Sequence, residues 1–438
     1  MKKTYLLTLL LCFNSLVFAQ VCGQLDTTFN AIDNGSPGGF NGPVYSMAVQ
    51  PDGNILIGGS FLSYYGISAN HIIRLNTDGS IDNTFATGMG FNAAVIAISV
   101  QIDGKILVGG TFNSYNGTTA NNIIRLNTDG SIDNTFANGT GFNYFVSEIS
   151  VQTDGKILVG GYFYSYNGTS ANRIIRLNTD GSIDNSFASG TGFNDDVDAI
   201  SVQTNGKILV GGDFTSYNGT SANNIIRLNT DGSIDNTFIS GTGFNDYVSE
   251  ITIQTNGKIL VGGNFYSYNG TAASEFIRLN IDGSVDNTFS MGSGFYNEVR
   301  VISVQTDGKI LVGGWFTSFN GTYANRIIRL NANGSIDNTF AIGTAFNAPV
   351  VAISVQTDGK ILAGGQFTSY NGTSANYIIR LNTDGSIDNT FASGMGFDGT
   401  VIAISVQTDG KILVGGGFNS CNGTSANNII RLNTDGSI

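Results

Sequence analysis

The chain is poor in the residues that do chemistry. Its 438 residues include one histidine, three cysteines, one tryptophan and four prolines. His71 has no recurring partner, so histidine catalysis is nearly excluded, and no Cys/His cluster has metal-ligand spacing. No metal or other cofactor is expected. Cysteine is too sparse for a disulfide scaffold. Only 12% of the residues are charged, and Gly, Asn, Ser and Thr carry most of the polarity. Such a composition could mean disorder, but regular Ile/Leu/Val runs argue for a packed β core.

The N-terminus reads as a secretory signal over residues 1–19. Lys2 and Lys3 precede an apolar run that ends at Val17-Phe18-Ala19, with short residues at the positions that a signal peptidase reads before Gln20. Neither Cys12 nor Cys22 follows a small residue, as a lipid-attachment box requires. The expected product is exported and soluble, extracellular or at the cell surface, without membrane insertion, since no later apolar run is long enough to span a bilayer. Cleavage removes two lysines and no acid, leaving 18 basic against 32 acidic residues, a net charge of about −14. That is a poor match to phosphate backbones, and no nucleic-acid partner is expected.

What is abundant is repetition. The glycine of a DG turn recurs at Gly53, Gly104, Gly155, Gly206, Gly257, Gly308, Gly359 and Gly410, each step 51 residues. Within one unit four short strands are expected. VSEISVQ (146–152) is closed by the Thr153-Asp154-Gly155 turn. KILVGGYF (156–163) is apolar enough to be buried on both faces. RIIRLN (173–178) follows a looser SYNGTSAN connection, and a second turn at Asp180-Gly181 leads to a short fourth strand around Ile183 to Phe187. Asp-Gly between β-rich runs is a strong hairpin signal.

Four antiparallel strands per unit, repeated radially, specify an all-β fold: a β-propeller of eight four-stranded blades in one domain, residues 20–438. The last unit stops at LNTDGSI (432–438), before its fourth strand, and QLDTTF (24–29) matches the missing segment. An N-terminal strand is expected to close the ring, a truncated longer chain being the competing reading. Cys22 and Cys421 then fall at opposite ends of a blade, beyond the roughly 7 Å between Cα atoms that a disulfide tolerates.

The words DGKILVGG and RLNTDGSIDNTF resemble the delta-60 repeat family, secreted bacterial proteins with a β-propeller of unknown function, over residues 24–438. The double glycine is similar to that of kelch blades, although phenylalanines such as Phe187 and Phe238 replace the kelch tryptophan. The resemblance implies fold and export, and no activity.

Four registers vary against this frame. The slot after the double glycine reads Ser60, Thr111, Tyr162, Asp213, Asn264, Trp315, Gln366 and Gly417. The residue that opens strand three runs from His71 through Arg173, Glu275, Arg326 and Tyr377 to Asn428. The dipeptide before strand one includes Asp195-Asp196 and Asp246-Tyr247. The start of strand one includes Asp198 and Arg300. In an up-and-down blade all four lie at the end opposite the Asp-Gly turns. Diversified binding and neutral drift both account for that pattern. For Trp315 itself, packing between blades and ligand contact are both open.

The remaining signals are structural or weak. NTDGSID imitates a calcium loop, but Arg176 occupies the first ligand position. Arg176 and Asp184 are expected to form a structural ion pair, worth about 0–1 kcal/mol if exposed. Glu148, Asp195, Asp196, Asp198, Asp246, Glu250 and Glu298 read as an acidic rim rather than a glycosidase pair. The tyrosines of SYNG suit packing or one sugar site per blade.

The function expected is an exported, non-catalytic, monomeric recognition module for a glycan or an extracellular protein. Its candidate ligand-binding residues are Trp315, Tyr162, Asp213, Asn264, Gln366, Arg300, Asp198 and Tyr377. A structural or adhesive surface protein is the runner-up, and a carbohydrate-active enzyme comes third.

Overall fold

The computed structural model describes residues 39–437, apart from 87, 138, 342, 392–395, 408, 422, 423 and 427. The signal segment, the closing strand at 24–29 and Cys22 lie outside the described residues. Eight antiparallel sheets follow one another in the chain as blades of a propeller. In the third blade the strands are Val146–Val151, Ile157–Gly161 and Ile174–Leu177. Each second strand packs on the first strand of the next blade, and first strands of neighbouring blades also approach each other closely at six of the eight junctions, the exceptions being third to fourth and eighth to first. The second strand is buried throughout, as its unbroken apolar run requires.

The double glycine serves two contacts. A Cβ on Gly160 would stand 2.8 Å from Cδ1 of Ile200 in the next blade, and one on Gly161 would stand 2.5 Å from the carbonyl oxygen of Phe145 in its own blade. Asp-Gly turns form where expected, with Asp180 Oδ1 accepting from Ser182 N at 2.9 Å and Gly181 at φ 82°.

The fourth strand is shorter than expected. It is a single bridge, Leu177 to Ile183. Asp184 Oδ1 then accepts from Ser186 N at 3.0 Å, and Phe187 N donates to Asp184 O at 2.9 Å, so the chain turns before a ladder can grow.

The SYNG connection is more ordered than expected. Ser165–Tyr166 pairs with Thr169–Ser170 around Asn167 at φ 49° and Gly168 at φ 76°, a hairpin that needs both left-handed residues. Tyr166 is fully buried. Its ring lies 4.6 Å from Phe142, and its hydroxyl is 2.8 Å from Gly181 O and 3.0 Å from Ala137 O. These tyrosines are core; they do not form a row of sugar sites.

The Arg–Asp pair is buried too, contrary to the exposed pair considered from sequence. Arg176 Nε meets Asp184 Oδ2 at 2.7 Å, the side chains being 6% and 5% exposed, and Lys156 Nζ reaches the same oxygen at 2.8 Å. Burial alone would raise the Asp184 carboxyl, but hydrogen bonds from Lys156, Ser186 and Arg176 outweigh it and hold the group well below the usual carboxylate range. The guanidinium also lies 4.8 Å over the Phe187 ring. Its Nη1 donates to the carbonyl of Thr230 in the next blade.

This joint recurs all round the ring. Arg74, Arg125, Arg227, Arg278, Arg329 and Arg380 each reach the following blade, and Arg431 of the eighth blade reaches Thr77 of the first. Leu413 and Ile429 pack with Phe40, Val44 and Ile57, so the eighth blade and the first share one core.

Candidate functional site

The four variable registers meet at one end of each blade. The slot N–H donates to the dipeptide: Tyr162 to Phe145 O at 3.0 Å, Trp315 to Glu298 O at 2.8 Å. The opener N–H of strand three returns to the residue after the slot: Arg173 to Phe163 O at 2.8 Å, Arg326 to Phe316 O at 2.9 Å.

All eight openers adopt left-handed backbone, with φ between 61° and 69°. Asn suits that conformation, and Asn122 uses its Nδ2 to donate to Gly110 O at 3.0 Å. His71, Arg173, Glu275, Arg326 and Tyr377 occupy it against their backbone preference, at a cost of order 1 kcal/mol each. The start of strand one is equally unusual. Register shifts put Tyr45, Ser147, Asp198, Arg300 and their counterparts on β-bulges in all eight blades. A bulge re-aims its side chain and leaves it outside the ladder.

One group forms across the third and fourth blades. Arg173 Nε lies 3.3 Å from Asp196 Oδ1, its Nη1 donates to Tyr162 O at 2.7 Å, and its guanidinium sits 4.3 Å over Tyr164. Tyr162 stacks on Phe145 at 4.2 Å. Asp198 is exposed at the surface, yet desolvation of its carboxyl, with the charges of Asp196 and Asp213, pushes it up to about 6, with Arg300 opposing. Asp213 is raised as well, by burial and by Asp195 and Asp246.

A second group forms across the fifth and sixth blades. Glu298 Oε1 accepts from Tyr247 OH at 3.0 Å and from Arg300 Nη1 at 3.1 Å. Burial and the Glu298 charge push the Tyr247 phenol up to about 12. Asn264 Nδ2 approaches Asp246 Oδ2 at 3.4 Å, and Arg326 Nη1 donates to Trp315 O at 2.6 Å. Trp315 is 41% exposed, so its ring is available at the surface.

Sequence reasoning missed Tyr296. In six other blades this position is an asparagine, and in the eighth Asp398, whose side chain ties down the next connection: Asn245 Oδ1 accepts from Tyr266 N at 2.8 Å and Ser267 N at 2.7 Å. Tyr296 cannot do this. Phe295–Tyr296 instead pairs as an extra strand with Ser318–Phe319, Asn297 turns to φ 89°, and the Tyr296 ring is 69% exposed. The broken asparagine column was the available signal.

Other expectations change. Gln366 and Tyr377 belong to the seventh blade, and no side-chain hydrogen bond among the described residues ties them to these groups. Glu250 is buried and bonded to Thr252 Oγ1 at 2.9 Å, so it is not part of a solvated rim. Glu148 is half-buried, and burial with the Glu250 charge pushes it up to about 8. His71 is buried, not a surface residue, with Nδ1 3.2 Å from Gly59 O and its pKa lowered by burial. Among the described residues no group of three or more His, Cys, Asp or Glu could hold a metal ion. A cleft of about 730 Å³ opens at the opposite end, between the sixth and seventh blades. Its lining, including Arg329, Thr357 and Asp384, belongs to the repeated frame and carries little blade-specific chemistry.

No helix among the described residues is long and apolar enough to cross a membrane. No curated protein is similar to the chain in sequence. Among solved structures, the Dos1 propeller is similar in fold, at 10% identity and a TM-score of 0.51 over 90% of this chain and 93% of that one. Extracellular domains of a putative hybrid and a putative one-component system of B. thetaiotaomicron also match, at 13% and 14% identity with TM-scores of 0.33 and 0.43. These alignments cover 85% and 91% of this chain, which spans 43% and 52% of theirs, about half their length. The family model described as a domain of unknown function (DUF5122) beta-propeller matches eight successive segments, from 50–85 to 407–438, more than half of the chain. The chain therefore belongs to the DUF5122 beta-propeller family.

Proposed function

We propose that the protein is an exported recognition module, not an enzyme, which binds a glycan or an extracellular protein through the variable end of the ring. The observation that carries this reading is the junction of the fifth and sixth blades. There the frame gives up its asparagine, and Tyr296, Trp315 and Arg300 stand at the surface beside a fixed Glu298. Exposed aromatic rings on a stiff backbone offer large contact area with few rotamers to freeze, which suits a sugar ring. The likeness of its repeat words to delta-60 repeats supports export; the binding role rests on the variable end, and the ring is taken to act as a monomer. A glycan and polysaccharide binding screen tests the reading. A saturable hit that the Trp315→Ala/Tyr296→Ala variant loses supports it, and an unchanged affinity overturns it.

The uniform ring of Arg joints favours a second reading, a rigid structural or adhesive surface protein. Under it, exchanging whole blades leaves behaviour unchanged.

A further inference from the structure

The third blade is aromatic where the fourth is acidic, and the two meet at Arg173. Tyr144 packs on Phe145 at 5.1 Å between ring centroids, and Phe145 stacks on Tyr162 at 4.2 Å. The Arg173 guanidinium lies 5.9 Å over Tyr162 and 4.3 Å over Tyr164, whose hydroxyl accepts from Nη2 at 3.2 Å. These contacts join the rings into one patch, and Tyr144 and Tyr164 at its two ends are 54% and 53% exposed. Other blades place Ala93 and Ala348 at the first end and Thr215, Thr317 and Thr368 at the second, so the frame itself needs no ring at either. The acidic side begins where Arg173 Nε meets Asp196 Oδ1 at 3.3 Å. Asp195 Oδ1 accepts from Asp196 N at 3.0 Å, and Asp213 N donates to Asp196 O at 3.0 Å. Asp195 and Asp213 are exposed, so three carboxylates stand against one guanidinium in this chain of contacts.

We propose that this junction docks a basic, arginine-bearing segment of an extracellular protein partner. Its guanidinium groups stack on Tyr144 and Tyr164 and pair with Asp195 and Asp213. The patch already holds one such arrangement, since Arg173 stacks on Tyr164 while it pairs with Asp196. Charge complementarity selects this occupant. The rings suit a sugar as well, but a neutral sugar gains nothing from the excess of carboxylates, and an acidic one is repelled. Burial and the charges of Asp195 and Asp246 raise the Asp213 carboxyl, a crowding that an incoming cation relieves. The seat lies on other blades than Tyr296 and Trp315 and does not rest on them.

Fluorescence anisotropy of a labelled hexa-arginine peptide with the purified protein tests the proposal. Saturable binding is expected, weakened by salt and tighter than that of hexa-lysine, because a planar guanidinium both stacks and pairs in a fork. Tyr144→Ala/Tyr164→Thr, which copies residues that other blades carry, and Asp195→Asn/Asp213→Asn should each weaken binding about tenfold or more with an unchanged melting temperature. Asp307→Asn/Asp358→Asn removes the same charge from turns at the opposite end, where Asn205 makes the same bond, and should leave the affinity within about twofold. No saturable binding up to about 1 mM, an affinity unmoved by the tyrosine pair, or an equal loss in the Asp307/Asp358 variant overturns the proposal. A neutral glycan that binds through the tyrosine pair where hexa-arginine does not also overturns it, and makes the patch a sugar platform. Trp315→Ala/Tyr296→Ala should leave peptide binding intact, so failure here and failure of the rim reading are distinguishable.

Discussion

Arg431 in the eighth blade donates its Nη1 to the carbonyl of Thr77 in the first, the same bond that Arg176 makes to Thr230 between the third and fourth. The ring is thereby closed by one chemistry throughout. Seven of the donors, from Arg74 to Arg380, pair with a buried aspartate of their own blade before they reach the next, so these joints are buried rather than loose surface pairs.

Breaking one joint should therefore be expensive. In the fourth blade Arg227 and Asp235 pair at 2.6 Å with side chains 5% and 3% exposed. Arg227→Ala should lower stability by about 3 kcal/mol, because Asp235 is left buried with the partly exposed Lys207 as its one ion-pair partner among the described residues. Urea unfolding checks this, and a loss below about 1 kcal/mol would place the pair with ordinary surface pairs.

Acidity should act with two opposite signs. The carboxyls of Asp133, Asp184 and Asp235 sit below their ordinary value, so their contribution is complete above about pH 4 and is lost as pH falls further. Glu148 and Glu275 are pushed up to about 8 and about 7 by burial, so the folded chain holds their protons more tightly than the unfolded one. Their contribution declines as pH rises from about 4 toward those values. The melting temperature should peak near pH 5 and fall by pH 8, and Glu275→Gln should flatten the fall. A parent profile that is level from pH 5 to 8 would contradict this.

Removing one buried hydroxyl should be felt. Tyr166→Phe keeps the ring on Phe142 but leaves Gly181 O and Ala137 O without the phenol. A loss of about 1–2 kcal/mol is expected in denaturant unfolding. No change would mean that water replaces the hydroxyl.

Relieving a left-handed residue should stabilise. Arg326 stands at φ 68° with a buried Nε that has no hydrogen-bond partner. Arg326→Asn should raise stability by about 1 kcal/mol, since asparagine tolerates that backbone and can cap the double glycine as Asn122 does. If the variable end binds a ligand, the same change should weaken binding. A gain in stability with unaltered binding would assign the register to drift.

Much of the architecture was legible because it repeats. The 51-residue beat, the Asp-Gly turns and the buried KILVGG strand each carry a local rule that one unit states completely. The Arg joint was not legible, because it links a residue to one 54 positions later in a different blade, and no single unit contains both partners. The fourth strand was overestimated because Asp184 turns the chain by a side-chain bond that competes with the ladder. At the site, the lone Trp315 and Arg300 stood out from their columns. Tyr296 stood out as clearly, but in a column that looked like plain frame until its asparagines were seen holding backbone N–H groups. Depth of burial was unreadable, which is why Glu250 was placed on a rim.

A closed ring of like joints is a hoop. Linear repeat arrays come apart from their ends, one unit at a time, because an end unit has a single neighbour. Here the first and eighth blades, which are not consecutive in the chain, share the same Arg-to-carbonyl bond and a common core, and every blade has two neighbours. Lifting one blade out means parting two seams together, so fraying has nowhere to begin. Side chains at the rim can then be exchanged one blade at a time on a support that stays taut.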